Sequence, residues 1–160
     1  MPTLDLGCGG TKRGDVGIDC EPWPGVDHVV RLGFQPIPYP DDTFDGAVMI
    51  QAIEHIPFIV YSLEGIRAYP MVSFLKEVHR VLKPGTRFVI STLEFPDPRC
   101  VEDPAHCSYW TRETAKHFVG GRDSSVGDQN DLMAGLRVPF RLIHSGPTPD
   151  GLLEIVLEKP

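Results

Sequence analysis

Apolar and polar positions change period several times along the chain, and each change marks an element. Leu4 and Leu6 flank Asp5 in a short run over residues 3–6 that breaks at once into Gly7-Cys8-Gly9-Gly10. A second run, 15–19, ends on an acid, Asp19. Both read as strands. A third strand is expected over 26–32, centred on Val29-Val30, and a fourth over 44–50, whose near-continuous apolar run suits a strand covered on both faces. The period turns helical at Pro70: Met71, Phe74, Leu75, Val78, Val81 and Leu82 share one face, and Lys83-Pro84-Gly85 stops the helix. Residues 87–92 form the next strand. Residues 51–56 are expected to open a helix that Pro57 interrupts, and Thr111 to cap one running through Phe118. Residues 138–144 and 152–158 read as an antiparallel hairpin about the turn 146–151.

The connections are as informative as the elements. Only residues 7–14 separate the first two strands, whereas a parallel crossover usually needs roughly a dozen residues or more. The first crossover helix is therefore expected to be a stub. Pro36, Pro38 and Pro40 keep residues 33–43 from helix. Residues 93–110 form a long irregular stretch with three prolines, the kind of loop that carries function in a compact domain. Residues 120–130, polar and glycine-rich, read as a mobile loop.

At 160 residues the chain is long enough for one domain, 1–160, with a real core. No apolar run approaches membrane length and the chain enters a strand directly, so a cytoplasmic protein without a membrane partner is expected. Cys8, Cys20, Cys100 and Cys107 lack zinc-finger spacing and read as free thiols. A net charge of −7 counts against a surface built to grip nucleic acid.

The chemistry starts at the glycine turn. A turn of glycines after a strand lets a ligand lie against bare backbone, and an acid closing the next strand can accept hydrogen bonds from ribose hydroxyls. Alone, Gly-Cys-Gly-Gly is equally a plain tight turn, and Asp19 equally an acid that caps a neighbouring amide.

Four segments in order carry more weight. Leu4-Asp5-Leu6-Gly7-Cys8-Gly9 resembles the nucleotide-binding motif of class I S-adenosylmethionine (SAM) dependent methyltransferases. Pro38-Tyr39-Pro40-Asp41-Asp42-Thr43-Phe44-Asp45 resembles their approach to the fourth strand. Glu54-His55-Ile56 is similar to the acid-histidine pair after that strand, and Glu77-Val78-His79-Arg80-Val81-Leu82-Lys83-Pro84-Gly85 to the turn into the fifth. Asp103-Pro104-Ala105-His106-Cys107-Ser108-Tyr109-Trp110-Thr111 resembles a pattern that some members carry before a late helix. The resemblance implies an α/β, Rossmann-like, seven-stranded sheet, mostly parallel with one antiparallel strand. It departs from the family in two places: the chain lacks the helices that usually precede the first strand, and Arg31-Leu32 stands where close members carry an acid near the adenine.

From the resemblance, SAM is the expected cofactor. Asp5, Gly7, Cys8 and Gly9 would lie at its methionine end, Asp19 and Cys20 at its ribose, Leu32 and Gly33 at its adenine, and Ile50 and Gln51 along its methionine side. Lys12 and Arg13 have two readings: a charge that replaces the missing helix terminus opposite the cofactor's carboxylate, and, slightly favoured, a solvated basic turn. His55 and His106 are the candidate catalytic residues, His55 as the base, because imidazole titrates near neutrality. Members acting on small-RNA ends and ubiquinone precursors hold a divalent metal with a glutamate three residues ahead of this pair. Here that position is Gln51, a poorer ligand for a hard cation, and no metal is expected. Tyr109 and Trp110 are read as core ahead of pocket wall.

The expected function is methyl transfer to a small-molecule acceptor. Acceptors on a protein or RNA, a catalytically silent SAM-binding subunit that needs a partner, and, from the glycine turn alone, a dinucleotide-binding oxidoreductase are the alternatives. The missing amino-terminal cover leaves residues 57–69, 93–110 or 120–130, or a second copy in a homodimer, to close the cleft.

Overall fold

The computed structural model describes residues 1–120 and 137–160. Seven strands form its main sheet in the order β3-β2-β1-β4-β7-β9-β8: β1 Leu4–Leu6, β2 Val16–Asp19, β3 His28–Val29, β4 Ala47–Ile50, β7 Arg87–Thr92, β8 Arg141–Pro147 and β9 Leu153–Glu158. β5 (Val60–Tyr61) and β6 (Arg67–Ala68) make a separate small hairpin. Neighbours from β3 to β7 run parallel, and β9 runs antiparallel to both β7 and β8. The expected seven-stranded sheet with one antiparallel strand is therefore observed. The chain winds outward from β1 through β2 to β3, then returns to place β4 on β1's other side. That reversal makes the gap between the carboxyl ends of β1 and β4 the switch point where open α/β sheets take ligands.

Helix α1, Pro70–Val81, forms where its pattern predicts, with Pro70 at its start. Its buried stripe of Met71, Phe74, Leu75, Val78 and Val81 packs in one core with Leu4, Leu6, Met49, Phe88, Ile90, Ile155 and Leu157. Paired residues on adjacent strands share a face. The register Leu4↔Ala47, Ala47↔Phe88 and Phe88↔Leu157 thus gives one fully buried face. The alternate set, Val48, Ile50, Val89, Ser91, Glu154 and Val156, is only half-buried. The cause is the crossovers. Residues 7–15 and 20–27 contain turns and no helix, so they cover that second face only over Asp5 and Gly17, in β1 and β2, and leave its β4, β7 and β9 positions half-buried.

Several expectations change. The β1–β2 crossover is not a stub helix but a run of turns; Gly7 and Cys8 both donate to the Ile18 carbonyl, which closes the crossover onto β2 at once. β3 keeps two residues of the expected seven, because the chain folds back at Arg31, whose carbonyl accepts from the Phe34 and Gln35 amides. The helices expected at 51–56 and 111–118 are single 3-10 turns, Ile53–His55 and Thr114–His117. Gln51 stands at φ +49°, which precludes a right-handed helix there, and Pro57 follows too soon for a second turn. The fourth strand begins at Ala47, since Phe44 pairs with Leu82 outside the ladder. The final hairpin runs through Gly146 and Pro147, and its turn is closed by the Thr148 amide on the Leu152 carbonyl. The 93–110 stretch holds one short helix, α2, Arg99–Glu102. The loop expected over 120–130 lies, beyond Gly120, outside the described residues. Trp110 is core, stacked among Phe58 and Phe118, while Tyr109 is exposed.

Arg80 locks α1 to the proline-rich approach to β4. Its guanidinium donates to the Ile37 and Tyr39 carbonyls and to Glu77 and Asp41. Glu77, held by Arg80, keeps its carboxyl below the usual range. The motif residues Glu77 and Arg80 are thus structural, fixing where β4 enters the sheet.

Candidate functional site

At the end of β1 the chain needs glycine for two different reasons. Gly7 has φ +67°, and a Cβ there would lie 2.3 Å from the Cβ of Ala52 just past β4. Its bare backbone serves the approach of two strand exits, not only of a ligand. Gly9 has φ +52° and nothing within 4 Å of where its Cβ would be, and Gly10 is equally open. Here the backbone faces free space of the kind a ligand fills.

Asp19 closes β2 and is 8% exposed. One carboxylate oxygen accepts the Gly9 amide at 2.8 Å and the other the Glu21 amide at 3.0 Å. The amide-capping role is therefore real, and it ties the glycine turn to the end of β2. An ionised carboxylate offers about four lone-pair sites, so acceptor capacity remains. Cys20 beside it is exposed and Cys8 buried; burial pushes both thiols up, away from thiolate.

Asp5 sits in β1, between β2 and β4, 1% exposed, on the half-roofed face. Its Oδ2 accepts the Arg13 amide at 2.6 Å, while its Oδ1 is buried without a partner among the described residues. Burial raises its carboxyl, the Arg13 amide opposing. An acid held this way gains most from a cationic neighbour. Lys12 does not supply one at the cofactor end: its ammonium reaches Asp27 at 2.9 Å, and Asp27 also takes the Gly17 amide. Arg13 lines a groove near the amino ends of β4 and β7, with Arg87 and Glu158. The contacts these residues make do not include the replacement of a helix terminus, the less favoured of their two readings.

Across the switch point, Ile50 is half-buried and Gln51 exposed, its amide bonded to the Ser91 carbonyl at 2.7 Å. A non-glycine residue at φ +49° carries strain, and strain at a strand exit of this kind collects at ligand sites. Leu32 and Gly33 lie past β3. Gly33 is glycine because a Cβ would meet the Pro70 carbonyl oxygen at 2.8 Å, which is packing against α1.

The turn after β4 and the loop after β7 converge. Glu54 is buried and accepts the Thr92 hydroxyl at 2.8 Å. Its carbonyl accepts the Cys107 and Ser108 amides, and the Ile53 carbonyl accepts the Ser108 hydroxyl. These bonds dock the 100–110 segment on the β4 exit and bring the His55 and His106 rings to 4.8 Å, edge to face. The two histidines expected to meet therefore do. Thr92 and Ser108, which hold them there, were not singled out in the sequence; the only trace of Thr92 is a hydroxyl ending an otherwise core-facing set, Phe88 and Ile90.

A model of a family described as "Methyltransferase domain" matches residues 19–90. No curated protein matches the chain. Among solved structures, a putative methyltransferase from Haloferax volcanii in complex with the Trm112 methyltransferase activator superposes at TM-score 0.61 and 16% identity, over 99% of this chain and 82% of its own. A SAM-dependent methyltransferase from Aquifex aeolicus superposes at 0.57 and 16%, over 97% and 80%. The Burkholderia thailandensis 1,6-didemethyltoxoflavin-N1-methyltransferase, solved with its substrate and S-adenosylhomocysteine, gives 0.54 and 15%, over 99% and 71%. At such identities the likeness establishes the fold. Among the described residues no helix is long and apolar enough to cross a membrane.

Proposed function

On the premise that this chain is a class I SAM-dependent methyltransferase, we propose that it methylates a small-molecule acceptor held between the exits of β4 and β7. The cofactor, when bound, supplies a methyl group on a sulfonium, already a good leaving group. The residues then divide the work. The open backbone at Gly9 and Gly10 receives the cofactor, with Cys8 beneath, and Asp19 accepts the ribose hydroxyls with Cys20 alongside. Asp5 faces the cationic end. Leu32 and Gly33 border the adenine, and Ile50 and Gln51 line the methionine side. His55 and His106 take the polar group of the acceptor and align it with the methyl, the part of the task that depends on position.

The observation that carries this reading is Asp5, a buried carboxyl with one oxygen unpartnered among the described residues, in the strand that leads into a glycine turn whose Gly9 and Gly10 face open space. Such a pairing suits a ligand that brings both positive charge and bulk to bare backbone. Calorimetric titration with SAM and with NAD tests it. Micromolar binding of SAM, lost in Asp5→Ala, and none of NAD is expected; NAD binding alone would refute it. A small-molecule screen for released S-adenosylhomocysteine then tests turnover, with His55→Ala and His106→Ala each expected to slow it at least tenfold. The acidic net charge supports a small acceptor over RNA.

The half-buried second sheet face favours one further reading, a SAM-binding subunit that turns over only when a partner, or a second copy of this chain, covers it. Turnover by protein that light scattering shows to be monomeric would refute it.

A further inference from the structure

We propose that the open sheet face across β4, β7 and β9 is a docking groove for one amphipathic α-helix, acidic at one end and basic at the other, supplied by another polypeptide. An apolar residue on an inner strand is fully buried only when something packs on it from outside the sheet. The covered face shows this: Met49, Phe88 and Ile155 are each 1% exposed or less. Val48, Val89 and Val156, their chain neighbours on the opposite face, stay half-buried. Parallel sheets ordinarily have both faces covered. Toward the beginnings of β4 and β7 this face deepens, over Val48 and Val89, into a groove of about 610 Å³ that Arg13 and Gly14 also line.

The footprint is that of one helix. Three strands at a spacing of about 4.8 Å span about 10 Å, and a helix with its side chains is about 10–12 Å across. From Arg87 to Ser91 the strand β7 runs about 13 Å, which a helix covers with about nine residues. Charge gives the occupant a direction. Arg13 is exposed, and among the described residues its guanidinium bonds only the Thr11 carbonyl, at 3.3 Å. Arg87 opens β7 on the same face and shares Glu158 with Arg141. The other acid lining the groove, Asp45, is already held by Lys83 at 3.0 Å. The end at the strand beginnings therefore has positive charge to spare. At the other end Glu154, opposite Ser91, is half-buried, and its carboxylate makes no hydrogen bond or ion pair among the described residues. A helix with acids in its first turn and lysines in its last, the arrangement its own dipole favours, matches both ends. A second copy of this chain has no such helix to offer among the described residues. The longest, α1, keeps its apolar stripe in its own core, and the other helical segments have four residues or fewer.

The inference deepens the reading in which a partner completes the protein, and its test is independent of methyl transfer. A display library of fourteen-residue helices, with leucines fixed at i, i+3, i+4 and i+7, Glu in the first turn and Lys in the last, is selected on the immobilised full chain. The best binder is then made as a fluorescent peptide and titrated by anisotropy. One peptide per chain is expected to bind at tens of micromolar or tighter, with helix gained on binding by circular dichroism. Val89→Lys, at the centre of the face, should weaken it at least tenfold. Arg13→Ala should weaken it at least twofold at low salt and not at high salt, as rim ion pairs do. Leu63→Ala, fully exposed in the turn between β5 and β6, should bind as the parent does. Thermal melts check that each variant is folded. Arg13→Ala keeps the backbone amide that holds Asp5, so a readout survives if Val89→Lys does not fold. No saturable binder, or parental affinity in the folded variants, overturns the groove. Light scattering that shows the chain dimeric, and monomeric as Val89→Lys, would seat a second copy there and overturn the helix. Turnover by monomeric chain without peptide would refute the partner-dependent reading and leave the docking result standing.

Discussion

Gly7→Ala separates what the glycine turn does for the fold from what it does for a ligand. Two costs add. An L-residue at φ +67° pays about 1–2 kcal/mol for the left-handed region. A Cβ placed 2.3 Å from that of Ala52 must push the β1 and β4 exits apart, an overpacking cost of about 1–3 kcal/mol. The sum, about 2–5 kcal/mol, is a large share of the roughly 5–15 kcal/mol that holds a domain folded. It corresponds to a fall in Tm of roughly 4–20 °C for a chain of this size. Urea denaturation of the apo protein reads the loss directly. The two costs are resolved by repeating the change in an Ala52→Gly background, where the contact partner is gone and only the backbone term, about 1–2 kcal/mol, should remain. A coupling of about 1–3 kcal/mol between the positions is expected. If Gly7→Ala lies within about 0.5 kcal/mol of its parent, or costs the same in both backgrounds, the strand-exit contact is not what requires glycine. If it weakens only SAM binding, the glycine serves the ligand alone.

Asp19→Ala should lose about 1–3 kcal/mol of folding stability in urea, because the Gly9 and Glu21 amides lose their acceptor, and a similar amount of SAM affinity in calorimetry; unchanged stability would show the two bonds to be idle. Gln51→Gly should relieve about 1–2 kcal/mol of left-handed strain against about 0.5–1 kcal/mol of added chain entropy. It should therefore leave stability equal or higher while slowing turnover, and a variant less stable by more than about 0.5 kcal/mol would refute the strain. Asp5, its carboxyl raised by burial, holds its proton in the folded state at pH values where the unfolded chain has released it. Its contribution to stability therefore falls as pH rises from the ordinary carboxylate value through its own, and Asp5→Asn should flatten that part of the stability–pH curve. The asparagine oxygen still accepts the Arg13 amide. An unaltered slope would mean that Asp5 ionises without cost.

What the sequence determined by itself is whatever rests on neighbours along the chain. The helix at Pro70–Val81 follows from a 3.6-residue stripe with a proline at one end and Pro84-Gly85 beyond the other. The strand Arg87–Thr92 follows from a local apolar run, and the glycine turn from residues that tolerate φ above zero. Local pattern also placed His55 and His106 just past two strands, and the sheet order that the family resemblance implies set those strands side by side, so their meeting was legible before any coordinate. Tertiary structure decided the rest. A run such as 26–32 is strand only as far as its neighbour continues, and β2 ends at Asp19, so β3 stops at Val29. Residues 51–56 have helical composition, yet Gln51 is held at φ +49° by its bond to Ser91, forty residues away in the chain. Asp19 and Gly9, Gly7 and Ala52, Glu54 and Thr92 owe their roles to contacts between exits of different strands. Such contacts exist only once the sheet order is set. A side chain's period reports which face it takes, but not which distant carbonyl, hydroxyl or ring will stand opposite, and at this site those partners set the chemistry.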